Sequence, residues 1–148
     1  MLLAIDIGNS NIVIGCMNGM QIENEFRIAT DFVKTSDQYC IDLKNVLSLC
    51  DIHVQDLEGV IISSVVPPLL NSFRSAVMKL TGKKPMVVGP GIRTGLNIQI
   101  DNPAQIGSDL IVAAVAALHE YSAPLMVVDM GTATTISVID RSRTYIGG

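Results

Sequence analysis

The sequence has few cysteines and few basic residues, and each shortage excludes a class of protein. Cys16, Cys40 and Cys50 are too few and too irregularly spaced for a disulfide framework or a zinc site. Ten Lys and Arg residues stand against 14 Asp and Glu, without a basic cluster, which disfavours nucleic acid as a partner but leaves local phosphate chemistry open. The two histidines, His53 and His119, show no pattern for a metal site or a catalytic triad.

Long apolar runs are also lacking. The longest stretches, such as residues 111–118, fall well short of the roughly 20 residues that a membrane-spanning helix needs. The N-terminus has no basic segment and carries Asp6, so it lacks the features that predict a signal peptide. We therefore expect a cytoplasmic protein without a membrane partner. Because 49% of the 148 residues are hydrophobic and the mean hydropathy is +0.44, one folded domain is expected.

The distribution of apolar and turn-forming residues predicts an α/β protein. Strands are predicted at residues 2–6, 12–17, 21–28, 59–66, 86–88, 125–129 and 135–140. Residues 89–103 are rich in Gly, Pro and Asn and predict a long loop. With three helices between the strands, the order β-β-β-α-β-α-β-α-β-β indicates a mixed β-sheet with flanking helices.

The three predicted helices each begin at a recognisable signal. A capping box of Thr35 with Gln38 opens the first, which runs to about residue 50 and places Cys40 and Cys50 among its core residues. Two prolines at 67 and 68 open the second, and a glycine at 82 ends it. The third is predicted from Ser108, a residue type favoured at helix starts, to about residue 120.

A weak internal repeat is the most informative feature. The segments AIDIGNSNIVIG and VVDMGTATTISVI share an apolar run, an Asp, a Gly, small polar residues and a second β-rich run. Each copy ends a strand at a carboxylate, Asp6 or Asp129, and then turns on a glycine with its backbone N–H donors. The carboxylate could hold Mg²⁺ or another cation, while Ser10, Thr132 or Thr134 donates to phosphate oxygens. For either copy alone, a purely structural hairpin turn is the alternative.

Residues 107–109, Gly-Ser-Asp, form a second candidate group. Asp109 could be a general base that accepts a proton from a substrate hydroxyl. Alternatively, Ser108 caps the helix and Asp109 only complements its dipole. Spacing alone leaves both readings open. Arg93, in the glycine-rich segment, is interpreted as a surface charge in preference to a phosphate contact.

Taken together, six segments resemble type III pantothenate kinases, in order and at the family's spacing over essentially the whole chain. They are DIGNSN, SSVVP, GIRTGLNI, DNPAQIGSD, VVDMGTATT and YIGG. The resemblance implies a ribonuclease H-like, actin-like fold, with residues 1–148 as its N-terminal phosphate-binding domain. It also implies ATP-dependent phosphorylation of pantothenate to 4'-phosphopantothenate, the first step of coenzyme A biosynthesis, by a homodimer. Family members continue through GG-x-I-x-PG into a second domain, so the resemblance covers their N-terminal half.

The resemblance assigns roles to individual residues. Asp109 falls on the catalytic base, Asp6 lies beside the Mg²⁺ bound with ATP, and Asp129 falls on the ligand of a monovalent cation, K⁺ or NH₄⁺. The residues that fall on ATP contacts are Asp6, Ile7, Gly8, Asn9, Ser10, Asn11, Ile12, Val13 and Thr132. The residues that fall on the pantothenate pocket are Ile100, Gly107, Ser108, Asp109 and Leu110.

Two positions depart from the family's pattern. Leu110 stands where the family usually has Arg, and Ile100 stands where it usually has Tyr. Both changes remove polar groups from the expected pantothenate pocket, and a lost charge-assisted hydrogen bond costs on the order of 1.5 to 3 kcal/mol. They motivate a second hypothesis, a non-catalytic nucleotide-binding relative with an accessory or regulatory role. A third, an actin-like-fold kinase or phosphatase for another small acid, needs only the two Asp-x-Gly motifs.

Overall fold

The computed structural model describes all 148 residues and divides into two compact units, Met1–Val88 and Gly89–Gly148. The boundary coincides with the start of the predicted glycine-rich segment. The first unit contains β1 (Leu2–Ile7), β2 (Asn11–Asn18), β3 (Gln21–Ala29), α1 (Ser36–Leu49), β4 (Gly59–Ser64), α2 (Pro67–Thr81) and β5 (Met86–Val87). The second contains β6 (Asn97–Ile98), α3 (Ser108–Glu120), β7 (Leu125–Met130), β8 (Thr134–Ile139) and β9 (Thr144–Gly147).

The sheet of the first unit is mixed, with the strand order β3-β2-β1-β4-β5. β1 pairs antiparallel with β2 and β2 antiparallel with β3, whereas β4 pairs parallel with both β1 and β5. The predicted mixed sheet with flanking helices is therefore confirmed.

One core cluster joins this sheet to its two helices. Leu3, Ile5 and Ile7 of β1 are buried in it because alternate residues of a strand face the same side. The rings of Tyr39 in α1 and Phe73 in α2 meet in the same cluster, with centroids 4.3 Å apart. Each such buried side chain contributes about 1.5 to 3 kcal/mol to stability.

The cysteines of the first unit are packing residues, which confirms the prediction made for Cys40 and Cys50. Cys16 is fully buried, and Cys40 and Cys50 are half-buried against the core cluster. Burial, reinforced by the neighbouring Cys50, raises the pKa of the Cys16 thiol to about 11. The thiol therefore stays protonated at neutral pH and is a poor nucleophile.

The predicted capping box at the start of α1 is confirmed. The Thr35 hydroxyl accepts from the Gln38 N–H at 3.3 Å, and the Gln38 side chain accepts from the Thr35 N–H at 2.8 Å. Thr35→Ala is expected to lower the free energy of unfolding of the first unit by about 1 kcal/mol. Urea unfolding followed by circular dichroism measures this loss. Ser48→Ala, in the last turn of the same helix, is the control and should cost less.

The sheet of the second unit has the order β6-β9-β8-β7, with β7 at its edge. β7, β8 and β9 form an antiparallel meander, and β6 pairs parallel with β9. α3 packs on this sheet through a small core of Ala114, Leu118, Ile139 and Tyr145. β6 lies inside the segment predicted as a loop, and β9 was not predicted. No helix of the structure combines the length and apolarity that crossing a membrane requires.

The β8–β9 turn is held by one carboxylate. Asp140 Oδ1 accepts from the Ser142 N–H at 2.8 Å, the Ser142 hydroxyl at 2.6 Å and the Thr144 N–H at 3.0 Å. These bonds, the Ser142 hydroxyl first, hold the pKa of Asp140 below its usual range. Arg143 follows with a positive φ of 63°, which turns the chain into β9.

Candidate active site

The two copies of the internal repeat form the same local structure. Asp6 is the penultimate residue of β1 and pairs with Val13 of β2. Asp129 is the penultimate residue of β7 and pairs with Thr135 of β8. Both carboxylates therefore stand next to the turn of an antiparallel hairpin, and both side chains are exposed.

The first turn is compact and fixed by its own backbone. The Gly8 N–H donates to the Asn11 carbonyl at 3.0 Å, and the Thr30 hydroxyl donates to the Gly8 carbonyl at 2.7 Å. The Thr30 N–H also donates to the Ser10 carbonyl at 3.0 Å. Thr30 was not singled out from the sequence, because its contact crosses 22 residues and depends on the pairing of β2 with β3.

The residues predicted to contact ATP occupy this turn and its flanks. Asp6 and the turn residues Asn9, Ser10 and Asn11 are exposed. Ile7 and Ile12 are buried in the core, while Gly8 and Val13 are half-buried. Any contact from Ile7 or Ile12 to a ligand would therefore have to come from their backbone atoms.

Gly8 admits no side chain without movement of the turn. A Cβ built there would lie 2.9 Å from the Asn11 carbonyl oxygen, closer than real Cβ contacts. Gly8→Ala is expected to shift the turn, to cost about 1 to 3 kcal/mol of stability and to weaken ATP binding. Thermal unfolding and calorimetric titration with ATP measure both effects. Gly19→Ala, in the distant β2–β3 turn, meets no other atom but is strained by its positive φ of 58°, so it should also lower stability while leaving ATP binding unchanged.

Two serines also belong to this site, and their role was not predicted. The parallel pairing of β1 with β4 places Ser63 beside Asp6 and Ser64 beside Ile7. Ser63 is buried, and the Ser64 hydroxyl accepts from the Val66 N–H at 3.0 Å. The SSVVP segment was visible in the sequence, but only the parallel register brings it next to Asp6.

The second turn, between β7 and β8, carries Asp129 and Thr132. Both side chains are exposed. A Cβ built on Gly131 would lie 3.8 Å from Asp129 Oδ1, so the carboxylate reaches over the turn backbone. A carboxylate beside turn N–H groups is the arrangement that the repeat predicted for a cation next to a phosphate.

The third predicted group lies at the start of α3. Gly107 is the N-cap residue and Ser108 is already helical, so the alternative in which Ser108 caps the helix is wrong. The cause is the extended backbone of Gly107, whose carbonyl accepts from the Ile111 N–H at 3.3 Å. Asp109 is half-buried in the first turn, and its Oδ1 accepts from the Leu110 N–H at 2.9 Å.

The remaining candidates lie near this helix in sequence. Ile100 is half-buried and packs against the core of the second unit, so it has a packing role whatever else it contacts. Arg93 is exposed, as its interpretation as a surface charge requires. The candidate residues thus fall in both units: the Asp6 turn lies in the first, and Asp109, Asp129 and Thr132 lie in the second.

The donor chemistry of the turns fits cations that accompany a nucleotide. No group of three or more His, Cys, Asp or Glu side chains forms a metal cage in the structure. Mg²⁺ in phosphate-transfer sites is usually held by one or two carboxylates together with substrate phosphates. Each turn separately offers one such exposed carboxylate, Asp6 in the first unit and Asp129 in the second.

Comparison with known proteins identifies the family. The model of the type III pantothenate kinase family matches residues 2–148, and the chain belongs to this family. It is 46% identical over 148 residues to a type III pantothenate kinase of Bifidobacterium longum subsp. infantis, and 48% identical to one of Brevibacillus brevis. Each match covers 100% of this chain and 58% of the relative. The chain therefore spans little more than half the length of the relatives it matches, and it corresponds to their N-terminal part.

Among solved structures, the Aquifex aeolicus PPX-GPPA enzyme matches with a TM-score of 0.49 and 16% identity. The match covers 97% of this chain and 49% of that one.

Proposed function

We propose that this chain provides the phosphate-binding and catalytic part of a pantothenate kinase, which transfers the γ-phosphoryl group of ATP to the hydroxyl of pantothenate. The pair of Asp-Gly hairpins carries this proposal, because each places an exposed carboxylate next to its turn. Membership of the type III pantothenate kinase family supports it. The acceptor assignment draws on the match of residues 107–109 to the family.

Each residue group has a distinct task in this proposal. The N–H groups of the Gly8 turn and the hydroxyls of Ser10 and Thr132 donate to phosphate oxygens. Asp6 would hold Mg²⁺ and Asp129 a monovalent cation, K⁺ or NH₄⁺, which supply positive charge near the phosphates. Asp109 accepts the proton of the pantothenate hydroxyl and orients it for attack. Positioning and charge neutralisation thus provide most of the rate enhancement.

The family also supports two proposals about the whole protein. We place it in the cytoplasm, where ATP is available, and expect a homodimer. Size-exclusion chromatography with light scattering measures the mass of the protein in solution and thereby tests the homodimer.

The experiment uses a chimera, in which residues 1–148 are followed by the part of the Brevibacillus brevis relative that lies beyond the matched segment. Formation of phosphopantothenate is measured by mass spectrometry with ATP, Mg²⁺ and a titration of KCl. We expect product that depends on pantothenate and on K⁺. No product at any KCl concentration would contradict the proposal.

A non-catalytic nucleotide-binding relative is the second candidate, because Leu110 and Ile100 are apolar at positions where polar groups are expected. It predicts that the chimera binds ATP calorimetrically but gives no heat with millimolar pantothenate. A kinase for another small acid predicts ATP turnover with a different acceptor in a substrate screen.

Restoring the family's residue at position 110 tests the acceptor directly. Leu110→Arg is expected to lower the KM for pantothenate by roughly 10- to 150-fold if the guanidinium meets a charged group away from water, and by much less if water reaches it. The KM for ATP should not change. Ile100→Tyr, expected to act in the same direction but more weakly, is made separately because Ile100 packs against the core and the larger ring must be accommodated there. Unchanged or impaired activity in both variants would indicate a pocket shaped for another acid.

A further inference from the structure

Thr30 joins the Asp6 turn to the end of β3 through two hydrogen bonds. Its hydroxyl donates to the Gly8 carbonyl at 2.7 Å, and its N–H donates to the Ser10 carbonyl at 3.0 Å. Two groups of one residue therefore bind carbonyl oxygens of the same turn. Because the hydroxyl bond spans 22 residues, it lies outside the hydrogen bonding of the β1–β2 hairpin itself.

These two bonds fix the direction of the peptide dipoles in the turn. The C=O and the N–H of a trans peptide point in opposite directions. The Gly8 carbonyl points at Thr30, so the Asn9 N–H points away from it. The Ser10 carbonyl also points at Thr30, so the Asn11 N–H points away as well. Backbone N–H groups on one side of a turn form an anion-binding arrangement.

The Gly8–Asn9 peptide is the part of the turn that rotates most easily. Glycine adopts backbone angles that strain other residues, and asparagine enters the left-handed region more readily than most. Rotation of this peptide would exchange its N–H for its carbonyl oxygen on the side away from Thr30. A carbonyl oxygen there would repel a phosphate, so the bond from the Thr30 hydroxyl determines which end of the peptide dipole faces that side.

The end of β3 is anchored to the core beside Thr30. The Tyr39 hydroxyl donates to the Asp31 carbonyl at 2.6 Å and accepts from the Asp31 N–H at 3.2 Å. The Tyr39 ring is fully buried and lies against Phe73 in the core cluster. The residue that follows Thr30 is thus held by a core side chain, which fixes the position from which Thr30 holds the turn.

We propose that Thr30 is a positioning residue for ATP. Its hydroxyl holds the Gly8–Asn9 peptide in the orientation that presents N–H groups to the phosphates. This proposal rests on the proposed function, because it takes ATP as the ligand of the Asp6 turn. Thr30 acts through the turn and needs no contact with the nucleotide. Its loss should therefore change the affinity for ATP and leave that for pantothenate, whose proposed contacts belong to the second unit, unchanged.

Two substitutions of Thr30 test this role in the chimera. Thr30→Val removes the hydroxyl and keeps the branched shape of the side chain, whereas Thr30→Ser restores a hydroxyl. In calorimetric titration, Thr30→Val should weaken ATP binding by about tenfold, and Thr30→Ser should stay within about twofold of the unmodified chimera. In steady-state kinetics, Thr30→Val should raise the KM for ATP and leave the KM for pantothenate unchanged.

Thr81→Val is the matched control for lost stability. The Thr81 hydroxyl donates to the Val77 carbonyl at 2.8 Å, which is a bond of the same kind at the end of α2 in the same unit. Both valine variants are expected to lower the unfolding temperature by a few degrees. Thr81→Val should bind ATP like the unmodified chimera, so a loss of affinity confined to Thr30→Val cannot result from lower stability alone.

A second measurement reads the turn without any ligand. The amide NMR signals of Asn9 and Asn11 are recorded for the isotope-labelled 148-residue chain. Thr30→Val should shift both signals and speed the hydrogen exchange of both amides, because the turn opens more often without the hydroxyl bond. Thr30→Ser should keep both signals near their original positions. Thr30→Ala removes the same hydroxyl with less bulk and should repeat the shifts, so the result does not depend on one variant.

Three results would overturn the role of Thr30. One is unchanged ATP affinity in both Thr30→Val and Thr30→Ala while the unmodified chimera binds ATP. Another is an equal loss of affinity in Thr81→Val. The third is unchanged Asn9 and Asn11 signals in both hydroxyl-deleted variants. Failure of the proposed function gives a different pattern, because the unmodified chimera would then bind no ATP, and that result would overturn the present proposal with it.

Discussion

Asp109→Asn is expected to lower the turnover of the chimera by roughly 10² to 10⁴, which is the usual contribution of a general base. An amide cannot accept the hydroxyl proton, whereas its oxygen can still accept the Leu110 N–H that Asp109 Oδ1 binds at 2.9 Å. The start of α3 should therefore remain intact. Steady-state kinetics measure the loss of turnover, and calorimetric titration should show nearly unchanged ATP affinity.

A control at the other end of the same helix separates catalysis from helix electrostatics. Glu120→Gln removes one negative charge from the exposed last residue of α3 and should leave turnover unchanged. A large loss of ATP affinity in Asp109→Asn would contradict the proposed role and would mark Asp109 as a metal ligand or a structural residue. Unchanged turnover would place the base elsewhere.

Features of the fold that arise within one stretch of sequence were predictable. The capping box of Thr35 with Gln38 spans four residues, and its bonds form within the first turn of α1. β6 was missed because it is only two residues long, Asn97–Ile98, and exists through pairing with β9, 47 residues further on. Short strands of this kind are created by tertiary pairing and leave no periodic signal.

The candidate site likewise contains residues that a single stretch of sequence predicts and residues that only the pairing of strands brings in. Asp6 and Asp129 were predictable because each ends an apolar strand before a glycine, a pattern visible in each copy of the repeat. Thr30 and Ser63 reach the Asp6 turn only through the pairing of separate strands. The cap at Gly107 was missed because Ser108 is the better capping residue by type, whereas the backbone bond of the Gly107 carbonyl decides where α3 begins.

The exposed residues of β7, which are Met126, Val128 and Met130, show a further limit of prediction from sequence patterns. The apolar residues of β7 predict a buried strand. In the structure only Leu125 and Val127 pack against the core of the second unit. The apolar composition of a strand shows that its side chains can be buried. Whether they are buried depends on the elements that pack against the strand. β1 occupies the matching place in the internal repeat, yet one of its faces is fully buried in the core of the first unit.

Asp129→Ala is expected to abolish the response of the chimera to potassium and to weaken nucleotide binding. The carboxylate is exposed at the end of β7 and lies close to the turn backbone, where the Cβ position of Gly131 is 3.8 Å from Oδ1. Removing it takes away the anionic oxygen that is proposed to hold the cation beside the phosphates. The pairing of position 129 with Thr135 uses backbone atoms and should survive.

The measurement is a KCl titration of turnover at constant ionic strength, together with ATP affinity at low and high K⁺. Asp129→Asn keeps a carbonyl oxygen but loses the charge, so it should respond to K⁺ only at higher concentration than the unmodified chimera. Asp101→Ala removes an exposed carboxylate from the same unit and should retain the full response. Potassium activation that is unchanged in Asp129→Ala would place the cation at other ligands, because a carboxylate that binds an ion cannot be removed without shifting the concentration at which that ion acts.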